Sequence, residues 1–215
     1  NNSFDSKYAE FGIAAQRIYP NESLIRFLFT HLLPLTDKDS VKVLELGCGS
    51  GANLWMMAKE GLHAYGVDSS HVALNLAKHH LESKWGVTAD LKFGEFTNLP
   101  YDNAYFDAVV DVVSLQHLPL AQSEAALGEI ARVLKPNGFF FSYRLSNNSV
   151  MFSPSANFLD SATLSDIEDP AMPLAGNGVT SFWSPALVQE MYSGAGFRVL
   201  SLEKISRCYS NSMYV

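Results

Sequence analysis

The residues with the clearest chemical meaning are Glu45-Leu46-Gly47-Cys48-Gly49-Ser50-Gly51 and, further along, Asp68. The apolar run Val41 to Leu46 ends in three alternating glycines, and a helical pattern follows. Glycines let a chain turn sharply and let a ligand approach where a Cβ would clash. Asp68 closes a second short run, His63 to Val67. A carboxylate there can accept hydrogen bonds from both hydroxyls of a ribose. Glycines alone could mark a tight strand-to-helix turn. Their pairing with an acid at this spacing points instead to a nucleoside-containing cofactor.

The elements that must position these residues alternate between strand and helix patterns, as in an α/β sheet. Val41 to Leu46 reads as a buried strand, and Ala52 to Glu60 as a helix stopped by Gly61. His63 to Val67 is the second strand. Ser69 or Ser70 can cap a helix that runs to Lys84. Leu91 to Phe93 and Phe106 to Val113 are strands, Ser123 to Leu134 is a helix, and Lys135-Pro136-Asn137-Gly138 is a turn into a fifth strand, Phe139 to Tyr143. Residues 145–183 are rich in Ser, Asn, Pro, Asp and Gly and lack periodicity, which predicts a lid-like insertion. Ser184 and Pro185 then start a helix to Ala195, and Phe197 to Ile205 reads as a sixth strand. Residues 1–40 form a helical cap, and the whole of 1–215 reads as a single domain.

Composition narrows the partners. Of 215 residues, 47% are hydrophobic and 17% charged, enough apolar material for a sizeable core. The net charge of −7, with no run of Lys and Arg, disfavours a phosphate backbone as partner. Cys48 and Cys208 fit no metal or disulfide spacing and read as free thiols of a reducing compartment. There is no leader-like start and no long apolar run, so the expectation is a soluble, cytoplasmic protein away from the membrane. His79 and His80 are adjacent and point about 100° apart on a helix, so they cannot pair on a metal. No metal site is expected.

Gly47, Gly49 and Ala52 also satisfy the dinucleotide pattern G-x-G-x-x-G/A, so NAD, FAD and S-adenosylmethionine (SAM) all remain open on the residues alone. The segment Val43 to Gly51 resembles the first motif of the class I SAM-dependent methyltransferases, whose acid two places before the first glycine is not typical of dehydrogenases. Gly66 to Ser70 resembles that family's ribose-binding segment. Gly94 to Pro100 with Phe106 to Val110 resembles its adenine-binding loop and fourth strand, and Arg132 to Phe139 its turn into strand five. The likeness spans Val41 to Ile205 and is greatest to the small-molecule branch.

This resemblance implies a Rossmann-like, doubly wound sheet of seven strands, mostly parallel with an antiparallel last strand, for which Ser212 to Val215 supplies only a beginning. It implies SAM as cofactor and S-adenosylhomocysteine as product. Gly47, Cys48, Gly49 and Gly51 would pass under the methionine part, Glu45 would hold the amino group, and Asp68 with Ser69 the ribose. Glu95, where the family more often has Asp, and Phe96 would meet the adenine. Asp111 would contribute its backbone carbonyl, and Asp107 is read as structural. A small-molecule acceptor would bind above the carboxyl ends of the strands. Tyr8, Tyr19 and Arg144 are candidate acceptor contacts, and His117 is a candidate general base. Strand four lacks the [DN]-P-P-[YF] sequence of enzymes that methylate amide or base nitrogens. The rival readings are a SAM-binding regulatory protein and a nicotinamide-dependent reductase, for which no Tyr-x-x-x-Lys pair is placed.

Overall fold

The computed structural model describes residues 10, 12, 17–34, 37–152 and 157–206. Its centre is a five-stranded parallel sheet: β1 (Lys42–Leu46), β2 (His63–Asp68), β3 (Asp90–Phe93), β4 (Phe106–Val112) and β5 (Leu134–Tyr143). The spatial order is β3-β2-β1-β4-β5. The chain winds outward from β1 to β3 and then returns to the other side of β1. The strand order therefore reverses between β1 and β4, and a crevice opens at their carboxyl ends, where ligands of such sheets bind.

Burial explains the strands. Val43, Leu44 and Leu46 of β1 and Phe106, Ala108, Val109 and Val110 of β4 are wholly buried. They read as continuous apolar runs because helices cover both faces. α1 (Glu22–His31) packs on one face through Leu24 and Leu28, and its first turn is capped by the Asn21 side chain, which accepts from the Leu24 N–H at 3.1 Å. α2 (Leu54–Lys59) and α3 (His71–His80) follow β1 and β2, and a single π-helical turn (Leu81–Trp85) extends α3. α4 (Leu120–Val133) buries Ser123, Ala126, Leu127, Ile130 and Val133, a stripe at helical spacing. α5 (Pro185–Gly194) starts where its sequence predicts, with Ser184 accepting from the Leu187 N–H at 3.1 Å.

Three expectations are corrected. First, the described residues hold five parallel strands rather than seven. Phe197 to Ile205 carries no strand, leaving β5 at the sheet edge, and Ser212 to Val215 lies outside the described residues. Second, the Lys135 to Gly138 turn is a bulge within β5. Pairing jumps from Phe106 with Leu134 to Ala108 with Phe139, and Asn137 takes φ +63°. Third, the insertion is not structureless. It folds into a small antiparallel sheet, β6 (Phe158–Asp160), β7 (Thr163–Leu164) and β8 (Thr180–Ser181), over a separate core of Met151, Leu164, Ile167 and Phe182. Its short strands contain few residues each, so no period of two can show in the sequence.

Candidate functional site

The glycine loop leaves β1 at Gly47, whose φ is +61°. A Cβ built there would lie 2.2 Å from the Ser114 Oγ and 3.3 Å from the Phe96 ring, so only glycine lets the loop close against the end of β4. The Ser114 hydroxyl donates to the Gly47 carbonyl at 3.3 Å, joining the two strand ends across the crevice. Asp68 closes the loop from the other side. One carboxylate oxygen accepts from the Gly49 N–H and the other from the Ser70 N–H, both at 2.9 Å.

Beneath the loop, Glu45 is buried to 3% exposure. Its Oε1 accepts a short hydrogen bond from the Asn53 amide, whereas Oε2 is shielded from water with no partner among the described residues. Burial pushes the carboxyl up to about 8, against the pull of the Asn53 bond and the Arg17 charge. Asn53 also accepts from the Asn21 N–H at 2.9 Å, and the Trp55 indole donates to the Ile18 carbonyl at 3.1 Å. The segment before α1 is thus tied to the floor of the loop.

The fourth strand ends in a strained turn. Val113, a β-branched residue, has φ +61° and is held by its N–H donating to the Tyr143 carbonyl at 2.8 Å. Asp111 braces this turn with its side chain. Oδ1 accepts from the Ser114 and Leu115 N–H groups at 2.9 and 3.0 Å, and Oδ2 from the Ser142 hydroxyl at 2.8 Å. Burial pushes this carboxyl above the ordinary aspartate value. The expectation for Asp111 concerned its backbone carbonyl; the fully buried carboxylate carries the visible structure instead.

His117 follows in a short 3₁₀ turn, Leu115–His117. Its Nδ1 lies 3.0 Å from the Val179 carbonyl of the insertion, a bond that requires the proton on Nδ1. Burial pushes its pKa below the ordinary imidazole value, so the ring is neutral at pH 7. The insertion is further fastened by the Leu120 N–H donating to Asp160 at 2.8 Å and by the Ser181 hydroxyl donating to the Gln116 carbonyl at 3.1 Å. Asp107 has a structural setting: it accepts from the Lys42 N–H at 2.9 Å and pairs with Lys135 at 2.7 Å.

These elements enclose a cavity of about 2030 Å³ that runs from the glycine loop along β5 to α5. Of the sequence candidates, Glu45, Gly47, Cys48, Gly49, Asp68, Ser69, Glu95, Phe96, His117 and Arg144 line it. Gly51 does not. A Cβ on Gly51 would meet Leu81 and Ala77 only at ordinary contact distance, so what calls for glycine here is the backbone, at φ +82°. Tyr19 is 66% exposed, sits edge-on to Trp85 and is not on the cavity wall, which removes it from the acceptor contacts. Tyr8 lies outside the described residues. Sequence reading missed Asn53, Ser114, Trp183 and Tyr192, all on the wall. A lone Asn, Ser, Trp or Tyr carries no signature that a single sequence would reveal.

Comparison with known proteins agrees with this architecture. Residues 43–138 match the family model described as a methyltransferase domain. A sterol 24-C-methyltransferase of Eremothecium gossypii is 26% identical over 206 residues, covering 90% of this chain and 52% of that protein. A ubiquinone biosynthesis O-methyltransferase of Maricaulis maris is 28% identical over 116 residues, covering 54% and 44% respectively. The chain therefore spans about half the length of these curated relatives. The crystal structure of the PH0226 protein from Pyrococcus horikoshii superposes with a TM-score of 0.67 at 23% identity, covering 87% of this chain and 88% of that one. Residues 43–138 are thus similar to the methyltransferase domains of the class I SAM-dependent methyltransferases, a family whose cofactor is SAM. Among the described residues no helix is long and apolar enough to cross a membrane.

Proposed function

We propose that this protein transfers the methyl group of SAM to a small-molecule acceptor by direct displacement. The observation that carries the reading is Glu45. A carboxylate with one oxygen bonded and the other buried without a partner, at the floor of a glycine loop, suits a cationic ligand group. The ammonium of the methionine moiety is such a group. Asp68, already fixed by the Gly49 and Ser70 N–H groups, has acceptor capacity for the ribose, with Ser69 beside it. Glu95 and Phe96 stand where the adenine would lie, and the backbone of Gly47, Cys48 and Gly49 leaves room for the methionine chain.

SAM supplies a methyl group already activated on a sulfonium. The protein's task is then alignment and exclusion of water. The enclosing insertion and the segment tied through Asn53 both serve exclusion. Where the acceptor must lose a proton, His117 is the candidate base. With Nδ1 donating to the Val179 carbonyl, its Nε2 carries the lone pair, which faces the Gln116 amide at 3.5 Å, and burial keeps the ring neutral.

A net charge of −7 favours a small acceptor over a nucleic acid. The relatives' names divide between methylation at carbon and at oxygen, so the acceptor atom is not assigned from them. The free, buried Cys48 accords with a cytoplasmic location. The test is incubation with SAM bearing a tritiated methyl group and fractionated cell extract. Label in a low-molecular-weight product supports the proposal. Label only in RNA or protein contradicts the acceptor class, and no transfer to any fraction contradicts the activity.

A further inference from the structure

The cavity does not end at the cofactor side. At its far wall, where β5 runs out beneath the insertion, a group of donors is left short of acceptors. The Arg144 guanidinium lies over the Trp183 ring, 3.4 Å from the centroid. Its Nη2 donates to the Ser181 hydroxyl at 2.9 Å. The Trp183 Nε1 is shielded from water with no hydrogen-bond partner among the described residues, and the buried Nε and Nη1 of Arg144 have only the Tyr192 hydroxyl, itself beside Ser142, to meet them. The Trp183 and Tyr192 rings are 6.0 Å apart, and all three residues line the cavity that holds Gly47 and Asp68.

A guanidinium cannot shed its charge when buried, and unmet donors in such a place are costly. The nearest acid, Asp111, does not meet them. Its two oxygens already serve Ser114, Leu115 and Ser142, so it lends charge to the neighbourhood and no bond to Arg144. The cluster offers more donors than acceptors, and one member carries a fixed positive charge. The complement is an oxyanion. The cavity wall as a whole is of mixed sign, with Arg17, Arg198 and Lys204 as well as Asp68, Glu95 and Glu203, so the demand for an anion is set by this cluster and not by a general field. Phe140, Val188 and Phe197 provide apolar wall beside the cluster.

We propose that Arg144, Trp183 and Tyr192 form an anchoring site for the carboxylate of an acceptor with an apolar body. The word acceptor rests on the methyl-transfer reading; the carboxylate site does not. A carboxylate would take charge-assisted bonds from Arg144 and neutral ones from the indole and the phenol. It would hold the molecule by one end and leave the rest directed along the cavity.

The experiment measures binding of three matched pairs to the protein, with and without S-adenosylhomocysteine: benzoate and benzamide, 2-naphthoate and 2-naphthamide, decanoate and decanamide. Phenyl phosphate is the dianion control. The acids should bind at least about tenfold more tightly than the amides. Arg144→Gln should abolish that preference, Arg144→Lys should keep part of it, and Tyr192→Phe should reduce acid binding by roughly threefold to tenfold. Should Arg144→Gln fail to fold, the Tyr192→Phe and Trp183→Phe variants decide by whether the acid preference shrinks. Absence of acid binding, equal binding of acid and amide, or a preference unchanged in the variants overturns the site. Tighter binding of phenyl phosphate overturns the carboxylate. Failure of the wild type to bind S-adenosylhomocysteine, with the acid preference intact, counts against the methyl-transfer reading and leaves the site standing.

Discussion

Glu45→Gln should make the free protein more stable and the cofactor complex weaker, and both effects should depend on pH. The Glu45 carboxyl is raised from 4.5 to about 8 in the folded state, principally by burial. An acid whose folded pKa is raised binds more protons in the folded than in the unfolded chain between those two values. Stability contributed by this group therefore falls as pH rises from 4.5 to 8. Between pH 5 and pH 8 the loss amounts to about 3 kcal/mol as an upper figure, since relaxation reduces it. Gln keeps the acceptor for Asn53 and removes the titration. At roughly 2–4 °C per kcal/mol for a chain of this size, the variant should melt about 5–10 °C above wild type at pH 8 and close to it at pH 5. Taking the wild-type and variant difference cancels the other carboxylates. Binding should move the opposite way. Loss of a charge-assisted bond to the ligand ammonium should weaken S-adenosylhomocysteine about 10- to 100-fold at neutral pH. Wild-type affinity should also rise up to about tenfold from pH 6 to pH 7, as ionisation of Glu45 becomes cheaper, and the variant's should not. Thermal melts and calorimetric titrations across pH test both halves. A variant destabilised equally at all pH values, with unchanged affinity, would refute the reasoning.

Asp68→Asn keeps the side-chain size but loses the charge that meets Gly49 and Ser70, and should weaken S-adenosylhomocysteine by roughly 1–3 kcal/mol in calorimetry. Unchanged affinity would move the ribose contact elsewhere. His117→Ala distinguishes base from pin: a base loses roughly 10²–10⁴ in turnover with the melting temperature nearly intact, whereas a pin to Val179 loses stability first. Asn21→Ala removes the cap of α1 and should cost about 1 kcal/mol in denaturant unfolding. No loss would mean that the cap adds nothing beyond the tie through the Asn21 N–H to Asn53.

Much of the cofactor side was legible in the sequence because its residues obey local rules. A glycine forced to positive φ at the end of β1, an acid at the end of β2, and Ser184 before Pro185 each announce their conformation within a few positions. Beyond the glycine loop Arg144 stood out in the sequence and the side chains it meets did not, for physical reasons. Arg144, Trp183 and Tyr192 meet only through tertiary packing of β5, the insertion and α5, and no spacing encodes that meeting. Gly51 lies off the cavity wall, and a glycine needed for its backbone angle looks the same in sequence as one needed beside a ligand. Tyr19 was misassigned because an aromatic near a helix start says nothing of the side on which it emerges. The insertion defeated periodicity because two of its three strands have two residues each.

The central claim is that the crevice between β1 and β4, with Glu45 and Asp68, is built for SAM and not for a dinucleotide. Calorimetric titration of the protein with S-adenosylhomocysteine and with NAD, at pH 7 in buffers of different ionisation enthalpy, tests it most directly. The expected result is one S-adenosylhomocysteine per chain, release of close to one proton as Glu45 ionises, and no heat with NAD. Binding of NAD in the absence of S-adenosylhomocysteine binding would contradict the assignment.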